Sequence, residues 1–249
     1  MTTLFETSGY PQTRRHQLTV EGLNAYYGQS HVLQGVSLNV QAGEVVALLG
    51  RNGAGKTTTF RSIAGLINKV QGTVRLGDYD LLRKNTHAIA RVGVAYVPSG
   101  RRSFGLMTVR ENLLIALDGN RNKKKSVDAL DGVFEVFPAL KHRLKTRASV
   151  LSGGENQMLK MACAFLLEPS VLLLDEPTEG LAPIVISELL EHVRALASTG
   201  VGILLAEQNA HFAFQLSRRA YVLNKGVVQM SGTISELRAD EELVTHLGI

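Results

Sequence analysis

Short apolar runs separated by turn residues organise the chain, and the period within each run sets the element it predicts. Residues 18–25 and 33–40 alternate apolar with polar positions, as half-buried strands do, with the turn-prone Gly28-Gln29-Ser30 between them. Residues 44–49 form a short continuous apolar run, which predicts a buried strand. The period then changes: Phe60, Ile63, Ala64 and Ile67 fall at helical spacing, predicting a helix over 56–67. A strand over 72–76 leads into a Gly77-Asp78-Tyr79-Asp80 turn, a short helix over 86–91 follows, and a strand over 92–97 is ended by Pro98-Ser99-Gly100.

From there to about residue 161 helical periods take over, at 109–117, at 127–137 and from 151 to 167 with Ser152 as N-cap. Strand and helix alternation then resumes: a strand over 171–176, a helix over 184–197 and a strand over 201–206. A hairpin of 219–223 with 227–230 comes next, and two short C-terminal helices close the chain. Such alternation predicts a mostly parallel sheet covered on both faces, carrying a helical insertion. Residues 1–16 predict a loosely held tail, and Arg121-Asn122-Lys123-Lys124-Lys125 a solvated loop.

Composition narrows the class without naming a function. The chain has 249 residues, 45% hydrophobic and 20% charged, ordinary for a soluble globular protein. No apolar run approaches the roughly 18 residues that span a bilayer, and the N-terminus lacks the apolar stretch of a signal peptide. The expected location is therefore the cytosol or the cytosolic face of a membrane. The single cysteine, Cys163, lies in an apolar helical stretch and predicts a buried structural thiol. A net charge of +5 would suit an acidic partner, but the basic residues are scattered and do not interleave with aromatics, so no nucleic acid is expected.

The chemistry begins at Gly50-Arg51-Asn52-Gly53-Ala54-Gly55-Lys56-Thr57, followed by Thr58, which fits G-x-x-x-x-G-K-[ST]. Set between a buried strand and a helix start, such a loop offers backbone N–H groups and the positive end of the helix to phosphate oxygens. Lys56 is a mobile cation for the β- and γ-phosphates, and the Thr57 hydroxyl suits Mg²⁺. The pattern predicts a nucleoside triphosphate site. Downstream, the strand over 171–176 ends in Asp175 and Glu176: the first can reach the metal, and the second can polarise an attacking water. Leu151-Ser152-Gly153-Gly154-Glu155 is a second glycine-rich helix start. One phosphate chain rarely needs two, so the second is expected to serve the nucleotide of another subunit.

In this order and spacing the three segments resemble an ATP-binding-cassette (ABC) ATPase over roughly residues 17–249. That resemblance implies a P-loop NTPase (RecA-like) α/β core with an antiparallel β subdomain and a helical subdomain at approximately 100–161. Arg101-Arg102-Ser103-Phe104, the 151–158 segment, the 175–183 segment and Glu207-Gln208-Asn209 are similar to the second ATPase subunit of branched-chain amino-acid importers. Urea and amide importers carry similar subunits. The resemblance makes Tyr27, rather than an ordinary strand-end tyrosine, the adenine-stacking ring. It gives phosphates and Mg²⁺ to Gly53, Gly55, Lys56, Thr57 and Thr58, closes Ser152, Gly153 and Gly154 over the opposing subunit's ATP, and assigns Glu176 as general base.

Implied partners are a homologous ATPase in a head-to-tail dimer, two permease subunits that meet the segment from Ser99 into the helical insertion, and, indirectly, an extracytoplasmic binding protein. The implied location is peripheral, on the cytoplasmic face of the plasma (inner) membrane. Three positions depart from the general pattern: Ser99 replaces a metal-ligating glutamine, Gln208 a γ-phosphate-contacting histidine, and Ala182 an aspartate. Gln208 can still donate to the γ-phosphate. Ser99 reaches Mg²⁺ only through water, which predicts weaker coupling or hydrolysis and keeps a hydrolysis-poor regulatory subunit as the alternative.

Overall fold

The structure is a computed structural model that describes residues 16–100, 103–119, 126–240 and 243. An antiparallel hairpin, β1 (Leu18–Tyr27) and β2 (Ser30–Val40), opens the fold. With β4 (Lys69–Leu76) and the two-residue β5 (Tyr79–Asp80) it makes a four-stranded antiparallel sheet in the order β2-β1-β4-β5. The second sheet has six strands. Parallel β3 (Val45–Leu49), β8 (Gly202–Glu207), β7 (Val171–Asp175) and β6 (Val94–Val97) lie side by side, β9 (Arg219–Asn224) runs parallel on the other flank of β3, and β10 (Val227–Thr233) closes that edge antiparallel.

The central strands are buried at every position because both faces are covered, and they are apolar up to the acids that end β7 and β8. Val46, Leu48, Leu173 and Leu204 face a core shared with the antiparallel sheet, α1 (Lys56–Ile63) and α2 (Thr86–Val92). Val45, Ala47, Leu49, Leu172, Leu174 and Leu205 face the other core. That side is filled by α3 (Val109–Asp118), α4 (Ser126–Val136), α5 (Pro138–Lys141), α6 (Gly153–Phe165), α7 (Pro183–Ser198) and α8 (Ala210–Leu216). A last short helix, α9 (Ile234–Ala239), follows β10.

Several boundaries differ from the sequence expectation, each for a local reason. Helix α1 stops at Ile63, short of Ile67, because Gly65 takes a left-handed φ of 70° and Leu66 N–H turns back to Arg61 O at 2.8 Å. Strand β6 starts at Val94 because Gly93 (φ 118°) caps α2. The turn after β4 is a hairpin whose return strand, Tyr79–Asp80, pairs with Leu76 and Arg75. Helices α5 and α8 were not expected: at four and seven residues they carry too few turns to show a period. Residues 1–15 of the tail, the 121–125 loop and, apart from Leu243, the second C-terminal helix fall outside the described residues.

Two contacts lock the sheets together. Arg219 reaches Glu44 (Nε to Oε1 2.6 Å), the Tyr221 hydroxyl (2.8 Å) and Asn39 O (2.6 Å), joining β9 to the end of β2. At the β9–β10 turn, Gly226 N–H donates to Ala54 O at 2.9 Å while its carbonyl accepts from Gln34 N–H at 2.8 Å. Gly226 has φ 80°, and a Cβ there would run into the Val32 carbonyl.

Candidate functional site

The loop after β3 is built around glycines. A Cβ on Gly50 would overlap the Leu223 carbonyl, and Gly55, at the N-cap of α1, has φ 112° and offers no side-chain cap. The N–H groups of the first helical turn, at Lys56, Thr57 and Thr58, therefore have no acceptor within their own helix. The loop and the helix start line a hollow of about 110 Å³ with Val32, Gly53, Gly55, Lys56, Thr57, Thr58 and Glu176 on its walls. Asn52 is exposed at the loop tip, and Ala54 is buried, its carbonyl held by Gly226. Lys56 is only 4% exposed. Its ammonium donates to Gly50 O at 2.6 Å and Arg51 O at 3.2 Å, and pairs with Glu176 Oε1 at 2.9 Å.

The strand order explains why Glu176 reaches it. β8 lies between β3 and β7, and in register Leu49 lies opposite Glu207 while Asp175 lies opposite Ala206. The C-terminal ends of these strands thus form one crevice, where open α/β sheets bind ligands. Asp175 is 1% exposed; its Oδ1 accepts from Thr57 Oγ1 at 3.1 Å and its Oδ2 from Tyr96 OH at 2.9 Å. Burial pushes its carboxyl up, against the opposing pull of those two hydrogen bonds. At Glu176 the chain turns into a left-handed conformation (φ 47°), its N–H held by Ala206 O at 2.9 Å. A non-glycine residue there costs about 1–2 kcal/mol.

Thr57 and Asp175 form a donor set that fits Mg²⁺. No group of three His, Cys, Asp or Glu among the described residues could hold a metal alone. A cation here would complete its shell from phosphate and water, as Mg²⁺ does.

The two tyrosines differ in their contacts. Tyr26 stacks on His31 (ring centroids 4.4 Å apart) with Lys69 over its ring at 4.5 Å, whereas Tyr27 is 44% exposed, with ring surface to offer. Gln208 is exposed just beyond β8. The structure does not bring Ser152 and Gly153 to the Lys56 hollow. They line a separate cleft of about 160 Å³, which Glu176 also borders. Ser152 and Glu155 cap α6 reciprocally (3.2 and 2.9 Å), and Arg143 grips Glu155 at 2.7 Å. Gly154, next along, is buried against α7. Ala182 stands at the N-cap of α7 with no side-chain bond, where an aspartate would cap the helix. Ser99 is half-buried, and Arg101 and Arg102 lie outside the described residues. Cys163 is half-buried rather than buried, and desolvation pushes its thiol up to about 12.

Two residues were given no role from the sequence. Tyr96 on β6 reaches Asp175 across neighbouring strands. Glu207, 2% exposed, accepts from Thr178 Oγ1 at 2.7 Å, Thr178 N–H at 3.2 Å and Asn209 N–H at 3.3 Å, tying the segment after Glu176 to the one holding Gln208. Its signal was available: an acid ending an apolar strand, the pattern that marked Asp175.

Sequence and structure comparisons agree with this geometry. The profile of the family described as ABC transporter matches residues 33–179. The chain is 42% identical over 217 residues to the high-affinity branched-chain amino acid transport ATP-binding protein BraG of Pseudomonas aeruginosa, spanning 87% of this chain and 92% of that one. It is 37% identical over 221 residues to the probable branched-chain amino acid transport ATP-binding protein LivF of Archaeoglobus fulgidus, spanning 88% and 93%. A crystal structure of a nucleotide-free ATP-binding cassette from an ABC transporter superposes with a TM-score of 0.83 at 25% identity, covering 94% of this chain and 99% of that one.

Proposed function

The chain belongs to the ABC transporter family, and on that premise we propose that it is the ATP-binding and ATP-hydrolysing subunit of an importer for branched-chain or related amino acids. The observation that carries the reading is the convergence of Lys56, Glu176, Thr57 and Asp175 at one crevice, with the ammonium 2.9 Å from the carboxylate. The names of the Pseudomonas and Archaeoglobus relatives favour the substrate class.

In this reading Tyr27 stacks on adenine, and the backbone from Gly50 through Asn52, Gly53, Ala54 and Gly55 wraps the phosphates. Lys56 and the first-turn N–H groups of Thr57 and Thr58 hold the negative charge that grows on the γ-phosphate during in-line attack. Bound Mg²⁺ would be held by Thr57 and Asp175 and would neutralise phosphate charge. Glu176 orients the attacking water and accepts its proton, while Gln208 donates to the γ-phosphate. Ser152, Gly153 and Gly154 act on the nucleotide of the opposing ATPase, so turnover requires the head-to-tail dimer. Residues 17–249 act as one nucleotide-binding domain whose helical part, about 100–161, meets two permease subunits. Among the described residues no helix is long and apolar enough to cross a membrane. Attachment is therefore through those permeases, at the cytoplasmic face, with an extracytoplasmic binding protein supplying substrate.

The test is Mg²⁺-dependent ATP hydrolysis by wild type and Glu176→Gln, alone and with the permeases. The variant should bind ATP and lose at least about 100-fold in turnover. Equal turnover in both would refute the role of Glu176. ATP binding without hydrolysis by the wild type, even in the full complex, would transfer the chain to the regulatory reading that Ser99 motivates.

A further inference from the structure

Asp175 is a buried carboxylate with both oxygens engaged, and only one of its two donors belongs to the phosphate-binding loop. The other is Tyr96, on β6, opposite Leu173 of β7 in the parallel register. Its side chain lies on the face shared with Val94, toward the antiparallel sheet. There its ring meets Phe60 of α1 edge-on, with centroids 6.2 Å apart and planes at 83°. Phe60 belongs to the same helix as Thr57, so one element braces the ring and also supplies the second donor to Asp175. The phenol then reaches Oδ2 at 2.9 Å.

The chemistry of this donor is specific. A phenol ordinarily ionises at about pH 10, so it keeps its proton and donates throughout the neutral range. It is also uncharged. A lysine or arginine in its place would neutralise the carboxylate and compete with a cation; a neutral phenol fixes the carboxylate and leaves its negative charge available. Arg61, one residue beyond Phe60, lies against the phenol oxygens of both Tyr96 and Tyr27.

We propose that Tyr96 is a positioning residue for the divalent cation that accompanies the nucleotide, its hydroxyl holding Asp175 in one orientation from outside the phosphate-binding loop. The inference rests on the Mg²⁺–nucleotide reading of the site given above. It differs from a packing role, in which the hydroxyl merely finds a partner for a half-buried ring.

Calorimetric titration of ATP, first in EDTA and then over a Mg²⁺ series, separates the two. In Tyr96→Phe the Mg²⁺ concentration that half-maximally tightens ATP binding should rise by about 10- to 100-fold, the usual effect of losing a partner of a metal-binding group. Affinity for metal-free ATP should stay at the wild-type value. Phe60→Leu, which loosens the packing of the same ring but keeps the hydroxyl, should keep the wild-type Mg²⁺ requirement. A wild-type Mg²⁺ dependence in Tyr96→Phe would overturn the proposal, as would an equal shift in Phe60→Leu. If wild-type protein binds no ATP in either condition, the nucleotide reading itself fails.

Discussion

Gly154 is where the glycine-rich start of α6 touches α7, and replacing it by alanine sets two known effects against each other. An alanine in a helix gains up to about 1 kcal/mol over glycine, less in the first turn. Against this, a Cβ at 154 would lie closer to Val185 Cγ1 than carbon atoms approach, at 3.3 Å from Cγ2 and 3.4 Å from Cβ. Restoring contact of about 3.5–4.0 Å requires α6 and α7 to separate by roughly 1 Å, or Val185 to leave the χ1 rotamer that helices strongly prefer. Overpacking of this kind costs about 1–3 kcal/mol, so Gly154→Ala should destabilise by about 1–2 kcal/mol net. Val185→Ala removes both offending methyls. In the double variant the clash disappears, and the coupling energy from urea unfolding of the four proteins should be about 1–2 kcal/mol. A shift of about 1 Å also displaces Ser152 and Gly153, so Gly154→Ala should lower ATP turnover of the full complex by about 100-fold and the double variant should recover it. A Gly154→Ala protein more stable than wild type, or strictly additive effects of the two changes, would show that the contact with α7 does not hold the loop in place.

Two further expectations concern the flanks of the crevice. Burial, foremost, raises the Glu207 carboxyl above its ordinary value of 4.5, despite its bonds from Thr178 and Asn209. An acid raised in the folded state favours folding below its unfolded pKa, and that contribution is lost as pH rises through the folded value. Glu207→Gln is neutral throughout, so its stability relative to wild type should improve as pH increases from about 5 to 8; a pH-independent difference in thermal midpoints would contradict the buried-acid assignment. Tyr27→Ala should weaken ATP binding by about 1–3 kcal/mol, the value of stacking one base on an aromatic ring, whereas Tyr26→Ala, whose ring already faces His31 and Lys69, should leave affinity unchanged. Equal losses in equilibrium titration would dissociate Tyr27 from base recognition.

What the sequence made legible was local in the chain. The loop from Gly50 to Thr58, the acids ending β7 and the capped start of α6 are each written within ten residues, because backbone geometry and strand burial impose their residue types directly. The antiparallel sheet came only with the resemblance to a family, and the six-stranded order was not predicted at all, since strand order is set by contacts between distant segments. Tyr96 was missed for the same reason: its partner lies 79 residues away, and only the β6–β7 register brings them together. Glu207 was passed over although it ends an apolar strand as Asp175 does; what the sequence did not show is its partner Thr178, 29 residues away. Short α8 was missed on different grounds. Its stability comes from Phe212 and Ala213 packing into the core and from Asn209 capping Phe212 N–H at 3.1 Å, not from a repeating stripe.

The turn at Gly226 carries a mechanical consequence. Its two main-chain bonds, to Ala54 in the phosphate-binding loop and to Gln34 in β2, are made by backbone atoms. Side-chain substitution can neither supply nor remove them; only loss of the glycine, whose left-handed φ and missing Cβ the turn demands, can break the joint. The hairpin that ends in Tyr27 and the loop that ends in Lys56 are therefore graduated on one rigid scale. A ligand spanning them is measured across that one glycine joint.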